Sequence, residues 1–312
     1  MKKQNPKNYC NTFIFKLLLI ALLGFTSCII PDPVALPAND IDTAVCAVFT
    51  DTIVQIDELH PDTIIVNYIP GRIELPEVKN MQWFIQHLSY AMEYDTAQRH
   101  AMWVAYKFYS DYNVKEVSRS DAWAFDPIIP KEFQSLNKND MKTYPGYDRG
   151  HLCASEDRVF NLDANKETFY FTNMSPQLGC FNQQIWKYLE EAVRKWAKAS
   201  DCDTLYVVTG GAINPGVETL GVLENRNNVT IPKYYFKAIV KRQGDNFDGI
   251  AFWLENRCYT PNKVTHEYSM TIRELEEKTG INFFPYLRYV LPENSALEDS
   301  VEMKRDIGKW PL

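Results

Sequence analysis

The sequence predicts an α+β chain with a mainly antiparallel central sheet flanked by helices. Three observations carry this prediction. Runs of β-branched and aromatic residues occur both before and after one central stretch whose apolar residues recur at helical spacing. Few of those runs alternate with helix-length segments, as a parallel βαβ sheet would require. The last two long runs are separated by Gly244-Asp245-Asn246, which is turn chemistry. With 312 residues, 46% hydrophobic, 13% aromatic and 23% charged, the chain fits one large domain or two small ones and not extensive disorder.

In chain order, residues 1–27 read as a targeting segment. Lys2, Lys3, Lys7 and Lys16 precede or open an apolar run at 17–25 that is too short to span a bilayer. The run ends in Phe25-Thr26-Ser27-Cys28, which resembles a bacterial lipoprotein lipobox with a loose match at Phe25. That resemblance implies cleavage before Cys28, lipidation of its thiol and anchorage on a membrane face toward the periplasm or exterior. The alternative is a plain signal peptide and a secreted protein. Residues 28–72 read as a Pro-bearing tether followed by two β-like runs, a hairpin or a stalk.

The main domain is expected at 73–312. Residues 83–85, 90–94 and 101–109 read as strands, and 118–146 as a long loop rich in Pro, Asp and Asn, a length that is often functional. Residues 169–172 read as a short strand entering Asn173. Residues 182–199 read as a helix with Ile185, Trp186, Leu189, Val193 and Trp196 on its apolar face. Strands follow at 204–209, broken by Gly210-Gly211, and at 234–240 and 249–254. Thr271 and Glu274 have capping-box spacing for a short helix that Gly280 closes.

Charge and cysteines set further bounds. The net charge is −7, and loss of residues 1–27 removes four lysines and no acid, taking it to −11. That balance argues against global attraction to nucleic acid, so a polyanion site would need a local basic patch. Lys138, Lys142, Arg158, Lys187, Lys195 and Lys198 are the candidates. Of seven cysteines, Cys46, Cys153, Cys180, Cys202 and Cys258 remain after Cys10 and Cys28. No CxxC spacing suggests zinc. One or two disulfides with a leftover thiol, or buried free thiols, both fit.

The chemistry concentrates at 147–194. Asp148-Arg149-Gly150-His151 sets an imidazole, the side chain best poised to take a proton near neutral pH, beside a guanidinium that forks onto phosphate oxygens. Gly150 between them reads as a sharp turn. Asn182 offers an amide oxygen suited to Mg²⁺ when phosphate and water complete the shell. Trp186, Glu190 and Arg194 follow at four-residue steps along one helical stripe, although Glu190 and Arg194 also have the spacing of an ordinary ion pair.

These residues, together with Phe171-Thr172-Asn173-Met174-Ser175-Pro176-Gln177, resemble the DNA/RNA non-specific endonucleases, ββα-metal (His-Me finger) enzymes related to mitochondrial endonuclease G. The likeness covers about 73–312. It implies a ββα-metal fold and hydrolysis of phosphodiester bonds in DNA and RNA, leaving 5′-phosphate and 3′-hydroxyl ends. His151 would be the general base, Asn182 the one direct ligand of Mg²⁺ (with Mn²⁺ as an alternative), and Glu190 the holder of metal-bound water. Arg149 and Arg194 would stabilise the charge at the phosphate and leaving group, with Lys187 a further substrate contact. Asn173 would belong to the catalytic set by orienting the site, and Asp148 would be an orienting group. Where proline and glycine are common in the family this chain has Leu152-Cys153-Ala154-Ser155 and Gln184, which removes no chemical group. An inactive nucleic-acid-binding lipoprotein and a phosphodiesterase of another substrate are the competing classes. The oligomeric state, a homodimer included, stays open.

Overall fold

The apolar runs pair into a seven-stranded antiparallel sheet whose strands follow one another in chain order, with two excursions out of it into separate hairpins. The computed structural model describes residues 53–56, 64–68, 72–109, 112, 114–134, 146–224, 228–291 and 306–312. All of these lie in the second of two units, Asp51–Leu312, the first being Met1–Thr50. The targeting segment with Cys28, Cys46, and the patch residues Lys138 and Lys142 fall outside the described residues. Among the described residues no helix is long and apolar enough to cross a membrane.

Strands β1 (Ile53–Ile56) and β2 (Ile64–Tyr68) form an antiparallel pair. Next come β3 (Phe84–Gln86), β4 (Ala91–Asp95) and β5 (His100–Phe108). A separate hairpin, β6 (Tyr147–His151) and β7 (Met174–Leu178), encloses the short helix α1 (Leu162–Glu167). A π-helical turn at Phe181–Trp186 runs into helix α2 (Lys187–Ala197). Strand β8 (Thr204–Gly211), a small hairpin of β9 (Thr219–Leu223) and β10 (Val229–Pro232), and the long pair β11 (Tyr234–Gln243) and β12 (Asn246–Glu255) follow. Strand β13 (Ser269–Met270) and helix α3 (Ile272–Thr279) complete the order. The main sheet reads β13-β12-β11-β8-β5-β4-β3.

Alternation along each strand feeds two cores. On β5, Val104, Tyr106 and Phe108 join Trp186, Leu189, Val193 and Trp196 of the helical stretch on one face. Trp103 and Ala105 point to the other face, where Leu275 of α3 packs with Phe236 and Phe283. The predicted apolar face of α2 is therefore buried against the sheet. Each such fully buried aliphatic side chain contributes about 1.5–3 kcal/mol. Thr271 caps α3 with the full capping box, Glu274 answering its backbone N–H at 2.7 Å.

Four expectations are corrected. Gly150 is not in a turn but inside β6, opposite Ser175. A Cβ there would stand 2.0 Å from the buried Gln177 amide oxygen, so close approach explains the glycine. Gly210-Gly211 does not break β8, which continues through both. Residues 169–172 are not a strand. Phe171–Asn173 is a 3-10 turn, closed by the Met174 N–H donating to the Phe171 carbonyl, and the strand begins at Met174. Arg158 is fully buried, stacked 4.5 Å from the Tyr106 ring centroid, and leaves the proposed cationic surface. Sequence reading also missed α1, capped by Asn161, and the β9–β10 hairpin.

Candidate active site

The β6–β7 hairpin and α2 form a ββα unit docked on the main sheet by buried polar contacts. Ser175 Oγ lies 2.5 Å from His100 Nε2 and 2.6 Å from the Tyr235 hydroxyl, which donates to the Pro176 carbonyl at 2.7 Å. Asn256 Oδ1 accepts from the Leu178 N–H at 2.9 Å. Burial lowers the His100 pKa to about 4, so its ring is neutral near pH 7. A disulfide between Cys180 and Cys258 fixes the chain just before the π-helical turn, which settles the cysteine alternatives for this pair. Cys153 stays a buried thiol and Cys202 a half-buried one, with burial raising their pKa values to about 12 and 11.

Between hairpin and helix lies a cleft of about 700 Å³. Of the predicted residues, Asp148, Arg149, His151, Asn182, Lys187, Glu190 and Arg194 line it. Asn173 does not. It is fully buried, and its amide bridges backbone groups: it accepts from Cys153 N at 2.9 Å and donates to the Cys153 and Thr168 carbonyls at 2.9 and 2.8 Å. It therefore shapes the loop leaving His151 instead of touching a substrate. Trp186 of the expected stripe also turns inward and is fully buried. π-helical turns of this kind recur at functional sites because they rotate the side chains that follow.

His151 is half-buried with its ring edge-on to Trp123 and Phe169, at centroid distances of 5.6 and 5.0 Å. Its Nε2 is buried without a hydrogen-bond partner among the described residues. Burial first, then the charges of Arg119 and Arg149, lowers its pKa to about 3. The ring is thus neutral at pH 7, with a nitrogen able to receive a proton. Arg149 lies with its guanidinium carbon 3.7 Å from the Trp123 ring centroid, a cation–π contact that restricts its direction.

Asn182 Nδ2 donates to Asp148 Oδ2 at 2.9 Å, and Gln183 Nε2 donates to the same oxygen at 2.8 Å. A carboxylate oxygen only accepts, so the amide nitrogen must face it, leaving the Asn182 amide oxygen for a hard cation. The donor set fits such an ion. Among the described residues no group of three or more His, Cys, Asp and Glu is arranged to hold a metal, so phosphate and water would complete its shell. Glu190 does not pair with Arg194. Instead Arg194 donates to the buried Asp157 Oδ1 at 2.7 Å, and Asp157 also accepts from the Tyr106 hydroxyl at 3.0 Å. Burial raises the Glu190 pKa to about 7 against the opposing charge of Lys237.

Sequence reading missed Arg119 and Trp123, both lining the cleft. Arg119 donates to Ser155 Oγ at 2.9 Å and to Asp121 at 2.8 Å, with its guanidinium 4.7 Å from the Phe169 ring centroid. Their only signal was their place in a long loop.

A profile of the DNA/RNA non-specific endonucleases matches residues 76–289. Nuclease C1 of Cunninghamella echinulata var. echinulata is 32% identical over 216 residues, covering 65% of this chain and 83% of the relative. The mitochondrial nuclease EXOG of Danio rerio is 28% identical over 249 residues, covering 76% and 71%. A chain of the EndoG/EndoGI complex superposes with a TM-score of 0.59 at 26% identity, covering 66% of this chain and 87% of that one. The profile spans most of the main domain, including the whole ββα unit and the cleft it walls. The chain belongs to the DNA/RNA non-specific endonuclease family.

Proposed function

We propose that this protein is a divalent-metal-dependent endonuclease hydrolysing DNA and RNA without sequence preference, with Mg²⁺ as its ion. One observation carries the reading: the cleft gathers a neutral imidazole whose Nε2 has no hydrogen-bond partner among the described residues, a clamped carboxamide and three arginines within a fold matched by a nuclease family. His151 Nε2 accepts the proton of an attacking water. Arg149, Arg194 and Arg119 hold the non-bridging oxygens as charge builds there. Glu190 accepts hydrogen bonds from water at the cleft wall, and Lys187 adds a phosphate contact at the rim. A divalent cation, when bound through the Asn182 amide oxygen, supplies charge that polarises the scissile phosphate and favours departure of the 3′-oxygen. The products carry 5′-phosphate and 3′-hydroxyl ends. Contacts confined to the backbone explain an expected lack of base preference and a steep salt dependence.

The test is release of acid-soluble nucleotide from DNA and, separately, from RNA, with Mg²⁺ or EDTA. His151→Ala should lower the rate about 10²–10⁴-fold. Wild-type cleavage by folded His151→Ala protein would refute the assignment. The N-terminal residues support a second part of the proposal, lipidation at Cys28 and attachment to the cell envelope. Full-length protein should enter the detergent phase on Triton X-114 partition and Cys28→Ser should not. Wild-type protein confined to the aqueous phase would end that part.

A further inference from the structure

In the β6–β7 hairpin, β7 is anchored to the main sheet on both sides of Gln177. Ser175 Oγ meets His100 Nε2 at 2.5 Å and the Tyr235 hydroxyl at 2.6 Å. The Pro176 carbonyl accepts from the Tyr235 hydroxyl at 2.7 Å and from Asn256 Nδ2 at 3.2 Å. The Leu178 N–H donates to Asn256 Oδ1 at 2.9 Å. The Gln177 side chain takes no part in this anchorage. It is fully buried, and neither its amide oxygen nor its amide nitrogen has a hydrogen-bond partner among the described residues. A buried amide without partners costs free energy, so its place here needs another reason.

That reason lies on β6. Gln177 stands opposite Asp148 and Gly150 opposite Ser175, so Gln177 and Gly150 are diagonal neighbours on one face of the hairpin. A Cβ at Gly150 would fall 2.0 Å from Oε1, 2.3 Å from Cδ and 2.7 Å from Cγ of Gln177. The glutamine therefore lies along its length against the Gly150 backbone. Gly150 separates Arg149 from His151, and both of those line the cleft. A two-stranded ribbon twists more strongly than strands within a wide sheet, so backbone pairing alone leaves the tilt of β6 to be set. We propose that Gln177 is a positioning residue: held on the anchored strand, it fills the space over Gly150 and sets the height at which Arg149 and His151 enter the cleft. The catalytic meaning of this contact rests on the nuclease reading, whereas the contact itself is a property of the metal-free chain.

Full-length protein is compared with Gln177→Ala, Gln177→Met, Gly150→Ala and the pair Gly150→Ala/Gln177→Ala, with thermal melts confirming folding. In DNA cleavage with Mg²⁺, Gln177→Ala and Gly150→Ala should each lower kcat about tenfold or more, with KM held within about twofold, because small misplacements of reacting groups slow the chemical step. Gln177→Met, close in length and volume, should keep most of the rate. The pair should be faster than Gly150→Ala alone, because the added methyl enters the space the amide left. Two defects without a shared contact would instead multiply. The His151 ring, edge-on to Trp123 and Phe169, gives a readout independent of cleavage. In metal-free protein its Cε1 proton signal in NMR should shift in Gln177→Ala and in Gly150→Ala, and return toward wild type in the pair. Multiplying losses, a Gln177→Met as slow as Gln177→Ala, a folded Gln177→Ala with wild-type kcat, or an unmoved His151 signal each overturns the proposal. If Gln177→Ala fails to fold, Gln177→Asn decides: the shortened side chain should lower kcat and partly rescue Gly150→Ala, and independent effects overturn the proposal. Coupled His151 shifts in a wild-type protein that cleaves no nucleic acid would overturn the catalytic assignment alone.

Discussion

Asp148→Ala tests how the carboxamide of Asn182 is aimed. Asp148 Oδ2 receives two hydrogen bonds, from Asn182 at 2.9 Å and Gln183 at 2.8 Å, and Asn182 has no other side-chain partner among the described residues. Hydrogen bonds to a charged group are worth about 1.5–3 kcal/mol each. Only the part that separates the productive amide orientation from its flipped form reaches a bound cation. Groups that orient a metal ligand in this way change metal affinity by about 10–100-fold, or roughly 1.4–2.7 kcal/mol. Calorimetric titration of metal-free protein with Mn²⁺ should show that loss in Asp148→Ala, with a smaller loss in Asp148→Asn, which can still offer an oxygen. Cleavage should recover in part at high metal concentration, because His151 is left in place. An Asp148→Ala protein with a wild-type melting temperature and wild-type Mn²⁺ affinity would refute the reasoning.

Two further outcomes follow from the scaffold. The Cys180–Cys258 disulfide closes a loop with a sequence separation of 78, so Cys258→Ser or reductant should remove up to about 4.5 kcal/mol of stability on the chain-entropy account. Urea unfolding with and without dithiothreitol measures it, and equal midpoints would contradict the expectation. His100 is fully buried with its pKa lowered to about 4, so below its ordinary value near 6.5 the unfolded chain binds a proton that the folded chain refuses. Its stability contribution is complete above that value and lost at roughly 1.4 kcal/mol per pH unit as pH falls toward 4. His100→Gln should flatten the stability profile of metal-free protein between pH 6.5 and 4.5, and an unchanged slope would exclude His100 as its source.

What the sequence disclosed and what it hid divide along the range of the interaction. The helix expected at 182–199, found as a π-helical turn at Phe181–Trp186 and an α-helix at Lys187–Ala197, was legible because its partners repeat along its own face, and Leu189, Val193 and Trp196 are all buried as the period requires. Thr271 and Glu274 were legible for the same reason, since a capping box closes within four residues. Gly150 misled because glycine marks turns locally, while here it answers a side chain on the opposite strand, Gln177. The partners that give the cleft its chemistry are more distant still. Asp148 reaches Asn182 across 34 positions, and Asp157 reaches Arg194 across 37. From spacing alone Arg194 pairs as well with Glu190, and only the folded chain shows that it turns to Asp157. Phe236-Lys237-Ala238 fits the later part of the family resemblance, yet all three residues are buried, so no alternation along the strand marks the lysine as inward. A motif can therefore mark which side chains converge while leaving unread which of them carry charge at a given pH.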